Sequence, residues 1–371
     1  MSKPKDLPTL IDLTKTTQAL LIHYQSSLAP TKNAAPPAPD STEIADPLAV
    51  LKSTATLLRS HTTTLSLLLI NPPLTPSALI SKIGDVSSGP LSGMVAAASY
   101  VPREGQKGDI GDIMRAEVKI HVKGLLGSWG DVLGLIVKIA EKNQKASKRK
   151  EAEVTEADKQ EVLSTTGVVW EACDALLKLC TDGVVGLVVK KAHEFRAVLL
   201  DAIEELKEWG EDVADDDDDD DEAAGSDDED EIFGAENKLG KDDKELKELL
   251  DNSVKKLKMV GMLYQALTKR RLKTYPASST LEPTAAATNG ATSSPCKKLD
   301  ELMRLLKTIP ETVDDVAGAF YDLDEDEAKQ ELDKCCGQAQ RAIELMSKSW
   351  TGEDDEFTAW SGKWLAALGA A

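Results

Sequence analysis

Aromatic residues make up only 4% of these 371 positions, which leaves few rings on which nucleic-acid bases could stack. A basic excess is missing too: 44 Lys and Arg stand against 64 Asp and Glu, for a formal net charge of −20. Grip on phosphate backbones comes largely from Lys and Arg, so no direct nucleic-acid partner is expected. Proline is absent between Pro102 and Pro276, and long helices can occupy that gap. The five cysteines, Cys173, Cys180, Cys296, Cys335 and Cys336, include no C-x-x-C pair, and His23, His61, His121 and His193 are scattered. No metal-ligand set is recognisable in that spacing. An odd cysteine count in a long chain without a secretion signal fits a reducing compartment and buried or inert thiols.

Long apolar runs are also lacking. "MSKPKDLPTLIDL" places Asp6 and Asp12 where a signal peptide would carry an uninterrupted apolar stretch. "LSLLLI" at 65–70 falls far short of the ~20 residues that cross a bilayer. A soluble protein of cytoplasm and nucleus, with no membrane partner, is expected. Catalytic signatures are missing in the same way. "GQKGDIG" at 105–111 lacks the G-x-x-x-x-G-K-[ST] pattern of a phosphate loop and reads as a turn and helix start. There is no G-x-S-x-G elbow and no carboxylate pair in a recognisable cleft. The sequence therefore presents no catalytic residue, no cofactor site and no metal site, and is not read as an enzyme.

What is present is helical periodicity. Over 184–209, Val185, Val188, Ala192, Phe195, Leu199, Ala202, Leu206 and Trp209 recur at steps of three and four and form one apolar face. Over 241–273, Leu246, Leu249, Leu250, Leu257, Val260, Tyr264 and Leu267 lie on one side and lysines on the other. Further helices are predicted over 7–28, 46–70, 76–99, 109–141, 156–181, 297–308, 311–322, 325–349 and 354–368. Asp109 is a candidate cap for the fourth of these, and Thr155 with Asp158 resembles a capping box. Gly124, Gly127, Asp131 and Gly134 share a face. Each such glycine costs about 1 kcal/mol against alanine in a helix, which close helix packing or a kink should offset. The fold class read from this pattern is all-α, with helical bundles over 1–210 and 236–371.

The two bundles are joined by a stretch of different character. Asp215, Asp216, Asp217, Asp218, Asp219, Asp220, Asp221 and Glu222 form an unbroken acidic run. Residues 211–231 carry fifteen acidic residues and no Lys or Arg, so the remainder of the chain has a net charge of −20 + 15 = −5. Neighbouring aspartates repel, and Asp is a poor helix former. Residues 211–235 are therefore read as a disordered linker, and the low-complexity stretch 274–295 as a disordered loop. Ser226, followed by acid at the next four positions, has the context of an acidophilic phosphorylation site. Two readings of the run stand side by side: a solvated strap, or a surface for basic clients such as histones, which would make the protein an acidic chaperone. "KRK" at 148–150 and "KRRLK" at 269–273 likewise read either as import signals or as a solvated loop and the basic end of a helix.

Two further stretches carry a resemblance. "LSGMVAAASYVPREGQKGDIGDIMRAEVKIHVKGLL" at 91–126 joins two helices through a turn containing Pro102, Arg103 and Glu104, and "TGVVWEACDALLKL" at 166–179 contains Trp170, Glu171, Cys173 and Asp174. With the order of elements around them, they resemble the cyclin-D-binding protein family, also called the Grap-and-cyclin-D-interacting (GCIP) family, and its fungal members most. The resemblance extends over 46–210 and more weakly over 241–370. It implies two helical units, no cofactor, no catalytic residues, and regulation of cell-cycle progression or transcription by binding cyclin-like or helix-loop-helix proteins. The residues themselves allow a plainer role: Trp170 and Cys173, three apart on a helix, would pack inward, and Pro102, Arg103 and Glu104 would set an interhelical angle. The function expected is a helical scaffold that buries an apolar groove against a partner helix.

Overall fold

The computed structural model describes residues 6–29, 44–102, 109–146, 155–212, 237–240, 243–276 and 295–370, and among these it is all-α without a β-strand. The acidic run Asp215 to Glu222, Ser226, Arg103, Glu104, the KRK cluster and nearly all of the two segments read as disordered lie outside the described residues. The chain divides into two compact units, Met1–Val184 and Val185–Ala371.

The first unit contains α1 (Asp6–Ser27), α2 (Pro47–Ile70), α3 (Pro76–Val86), α4 (Ser92–Ser99), α5 (Asp112–Ala146) and the first part of α6 (Glu156–Glu211). α2 shows why these segments fold as they do. Asp46 caps it by accepting a hydrogen bond from the Ala49 N–H at 2.9 Å, and Pro47 occupies the first turn. Leu51, Ala55, Leu58, Thr62, Leu65 and Leu69 then recur at alternating steps of four and three and are all buried. Each fully buried leucine contributes about 1.5–3 kcal/mol relative to exposure. The helix predicted over 76–99 is observed, but a π turn, Ser87–Leu91, separates α3 from α4. Pro90 sits in that turn, where its missing N–H breaks the regular ladder.

α6 begins with the capping box read from the sequence. The Thr155 N–H donates to Asp158 Oδ2 at 2.9 Å and the Asp158 N–H to Thr155 Oγ1 at 3.2 Å. Its helical path breaks at Gly183, whose φ of 65° and ψ of −171° suit glycine alone. The two compact units divide next to this break, at Val184, whereas the acidic run had set the boundary after residue 210. The part of α6 after the break belongs with the C-terminal elements. Arg196 Nε donates to the Gly261 carbonyl at 3.1 Å, and a Cβ on Gly210 would overlap Leu250.

The second unit adds α7 (Lys244–Ala266), extended by a π turn Leu267–Arg271 and a short 3-10 turn Leu272–Thr274, then α8 (Pro295–Tyr321), α9 (Glu325–Met346) and α10 (Glu356–Ala370). α8 and α9 form an antiparallel hairpin closed by Leu323 at φ 57° and by Asp324, which caps α9 by accepting from the Glu327 N–H at 2.9 Å. Proline punctuation had split α8 into 297–308 and 311–322, but the helix continues through Pro310. The lost Pro310 N–H would leave the Leu306 carbonyl without its helical donor. The Tyr264 hydroxyl, from α7, donates to that carbonyl at 2.7 Å in the buried core.

The π turn after α7 brings Arg271 into the core, 1% exposed. Its guanidinium holds Asp355 through both oxygens, at 2.7 and 3.0 Å, and donates to the Met346 and Ser347 carbonyls at 2.8 and 2.7 Å. It also lies 4.6 Å over the Phe357 ring. One residue of "KRRLK" thus pins the end of α9 to the start of α10 and is closed to an import receptor, while Lys269, Arg270 and Lys273 remain exposed.

Candidate protein-binding face

The shared glycine face of α5 receives α1. The two helices run antiparallel, with Leu21 Cδ1 lying 3.7 Å from the Cβ position of Gly130 and the Gln18 and Gln25 amides 3.7 and 3.5 Å from those of Gly134 and Gly127. These glutamines cross the seam and donate to the carbonyls of Gly130 and Lys123 at 3.4 and 3.3 Å. Close helix approach therefore compensates for the glycines, as expected. Gly124 is the exception, because nothing lies within 4 Å of its Cβ position.

An open depression of about 520 Å³ occupies that end of the seam, lined by Ile22, Gln25, Ser26, Ala29, Lys123 and Gly124. Ile22 is 64% exposed, and Ile120, one turn before Gly124 on α5, is 63% exposed. They are the two most exposed large apolar residues described. The lining is mixed, with Ile22, Ala29 and Gly124 beside Gln25, Ser26 and Lys123, and it holds no aromatic ring. A second depression of about 470 Å³ opens at the other end of the seam, among Pro8, Ile11, Asp12, Lys15, Glu141, Gln144 and Lys145. Lys15 and Glu141 face each other across it at 3.7 Å. α5 is also the one described helix long and apolar enough to cross a membrane, and half of its most apolar window is buried inside the protein.

None of the groups with displaced pKa values lines either depression. Burial pushes the Cys173 and Cys335 thiols up to about 12 and Cys180 to about 11, and raises Cys336. Asp158 is held down at about 2 by Lys142, 2.6 Å away, and by the Thr155 cap. Asp355 is held at about 2 chiefly by Arg271. Such shifts express packing and pairing. Among the described residues no group of three His, Cys, Asp or Glu could hold a metal ion.

The residues singled out by the resemblance fall as follows. Cys173 is fully buried on α6, Trp170 is half-buried with its Nε1 enclosed, and Glu171 is exposed. Asp174 is exposed and pairs with Arg59 of α2 at 3.0 Å. Pro102 is half-buried. None of them lines the depression beside Gly124. Asp109 accepts from the Gly111 N–H at 3.1 Å and pairs with Arg115 just ahead of α5, which starts at Asp112. Ile22 and Ile120 went unread as site residues, although Ile120 sits four positions before the quoted Gly124 and could have been placed on its face.

The family model described as "Grap2 and cyclin-D-interacting, N-terminal" matches residues 50–212, a span that takes in α2 to α6 and leaves out α1. An uncharacterized protein of Schizosaccharomyces pombe is 26% identical over 327 residues, covering 87% of this chain and 84% of its own. Over 50–212 the chain is thus similar to the N-terminal part of the Grap2 and cyclin-D-interacting family, the span that also holds both stretches on which the resemblance rests.

Proposed function

We propose that the protein is a non-enzymatic regulator of cell-cycle progression or transcription, acting in cytoplasm and nucleus as a helical scaffold for cyclin-like or helix-loop-helix partners. The observation that carries this reading is the exposed Ile22 lining an open depression with Gly124, together with Ile120, 63% exposed and one helical turn before Gly124 on α5. Two isoleucines facing water gain most when a partner covers them, and glycine lets that partner approach the α5 backbone. An amphipathic helix laid across the α1–α5 seam meets both requirements.

The test is binding of purified D-type cyclin and of a helix-loop-helix protein to the full chain and to Ile22→Asp/Ile120→Asp. Central apolar anchors at an interface are worth about 2 kcal/mol or more on truncation, so affinity should fall at least about 30-fold. Both positions are exposed, so helicity and melting temperature should stay unchanged. Equal affinity of the double variant for either partner contradicts the proposed face. Binding of neither partner by the intact chain contradicts the proposed partner class.

A further inference from the structure

In the second unit, α7 turns a different face to solvent. Lys244, Lys247, Lys255, Lys258 and Lys269 are exposed, and their spacing sets them along one stripe, with Glu248, Asp251, Met262 and Gln265 also on it. From Lys255 onward the stripe contains no acid, and none of its lysines forms an ion pair among the described residues. In a chain of net charge −20, a row of unpaired cations on one helix calls for an occupant.

The nearest polyanion is covalently attached. Residues 213–236 carry fourteen Asp and Glu and no Lys or Arg. Both ends of that segment are fixed close together: Trp209 Nε1 donates to the Asn237 carbonyl at 2.9 Å, and Lys238 pairs with Asp212 at 3.4 Å. This anchor adjoins α7, since Gly210 abuts Leu250. Twenty-four residues fixed at both ends reach at most about 40 Å out and back. Lys258 lies about 12 Å along α7 from Leu250, and Lys269 about 29 Å. The whole acid-free part of the stripe is therefore within reach. A short tether holds such a segment at an effective concentration of about 1 mM, and the chain's overall negative charge repels rival polyanions.

We infer that the Lys255, Lys258 and Lys269 face of α7 is an electrostatic docking surface whose occupant is this chain's own acidic segment, residues 213–236. This stands independently of the α1–α5 face.

Zero-length carbodiimide cross-linking of the full chain at low salt, followed by peptide mass spectrometry, tests it. Carboxylates of 213–236 should join to Lys255, Lys258 and Lys269 in preference to lysines of the first unit. The links should vanish in 1 M salt, where the screening length is about 3 Å. In an isotopically mixed sample they should remain within one copy. Replacing the acids of 213–236 with Ser and Gly at constant length should strengthen heparin binding about tenfold or more, as an effective millimolar competitor is removed. Lys255→Glu/Lys258→Glu/Lys269→Glu in that background should abolish the gain, with helicity unchanged because all three positions are exposed. Links spread evenly over both units, links only between copies, or no gain in heparin binding would each overturn the inference.

Discussion

Replacing Tyr264 with Phe deletes one oxygen and tests how α8 survives Pro310. The Tyr264 hydroxyl donates to the Leu306 carbonyl at 2.7 Å, and Pro310, four residues on, has no N–H to offer that carbonyl. Tyr264 is fully buried, so no solvent replaces the lost donor. A buried acceptor left unsatisfied costs about 1–3 kcal/mol, and Tyr264→Phe should destabilise the second unit by that amount. In a Pro310→Ala background the alanine N–H restores the helical donor, and the same substitution should then cost less than about 1 kcal/mol. A double-mutant cycle should accordingly give a coupling of about 1–2 kcal/mol. Urea unfolding supplies the overall values, and hydrogen exchange on α8 peptides assigns them to the second unit, since two units need not unfold together. An equal cost of Tyr264→Phe in both backgrounds would refute the account of how α8 passes its proline.

Other consequences follow from the same contacts. Arg271→Lys keeps the charge but loses the bidentate grip on Asp355 and at least one carbonyl bond; it should cost about 3 kcal/mol and appear first as faster hydrogen exchange in α10. Asp158 and Asp355, both held near 2, contribute stability that is fully present above the ordinary carboxylate pKa of about 4 and fades as pH falls through 2. The urea midpoint should therefore decline between pH 5 and 2, and Asp355→Asn should flatten part of that decline. All five cysteines are buried, so a thiol reagent should label none in the native protein at neutral pH and all five in urea.

Much of the fold was legible because apolar periodicity and capping are local. The Thr155–Asp158 box and the ends of α2 follow from adjacent residues and came out as read. The exceptions arose where a distant residue decided the outcome. Pro310 ends a helix by its own chemistry, but Tyr264, 46 positions earlier in the sequence, supplies the missing donor. Val185 to Trp209 continue an apolar face whichever unit they join; contacts such as Arg196 with Gly261 decide. Arg271 looked like one more surface cation in "KRRLK" until the π turn directed it to Asp355, 84 residues on. The glycine face of α5 was visible, but its partner was not, since Gln18, Leu21 and Gln25 carry no mark of where they will pack. For the same reason Ile22 could not be distinguished from a core residue of α1.

Hydrogen exchange along the whole chain, with and without a saturating cyclin-like or helix-loop-helix partner, tests the proposed role of the first unit most directly. Amides of 19–27 on α1 and 116–127 on α5 should slow together on binding, and this protection should disappear in Ile22→Asp/Ile120→Asp. Protection confined to the second unit, with the α1–α5 seam exchanging as in the free protein, would contradict it.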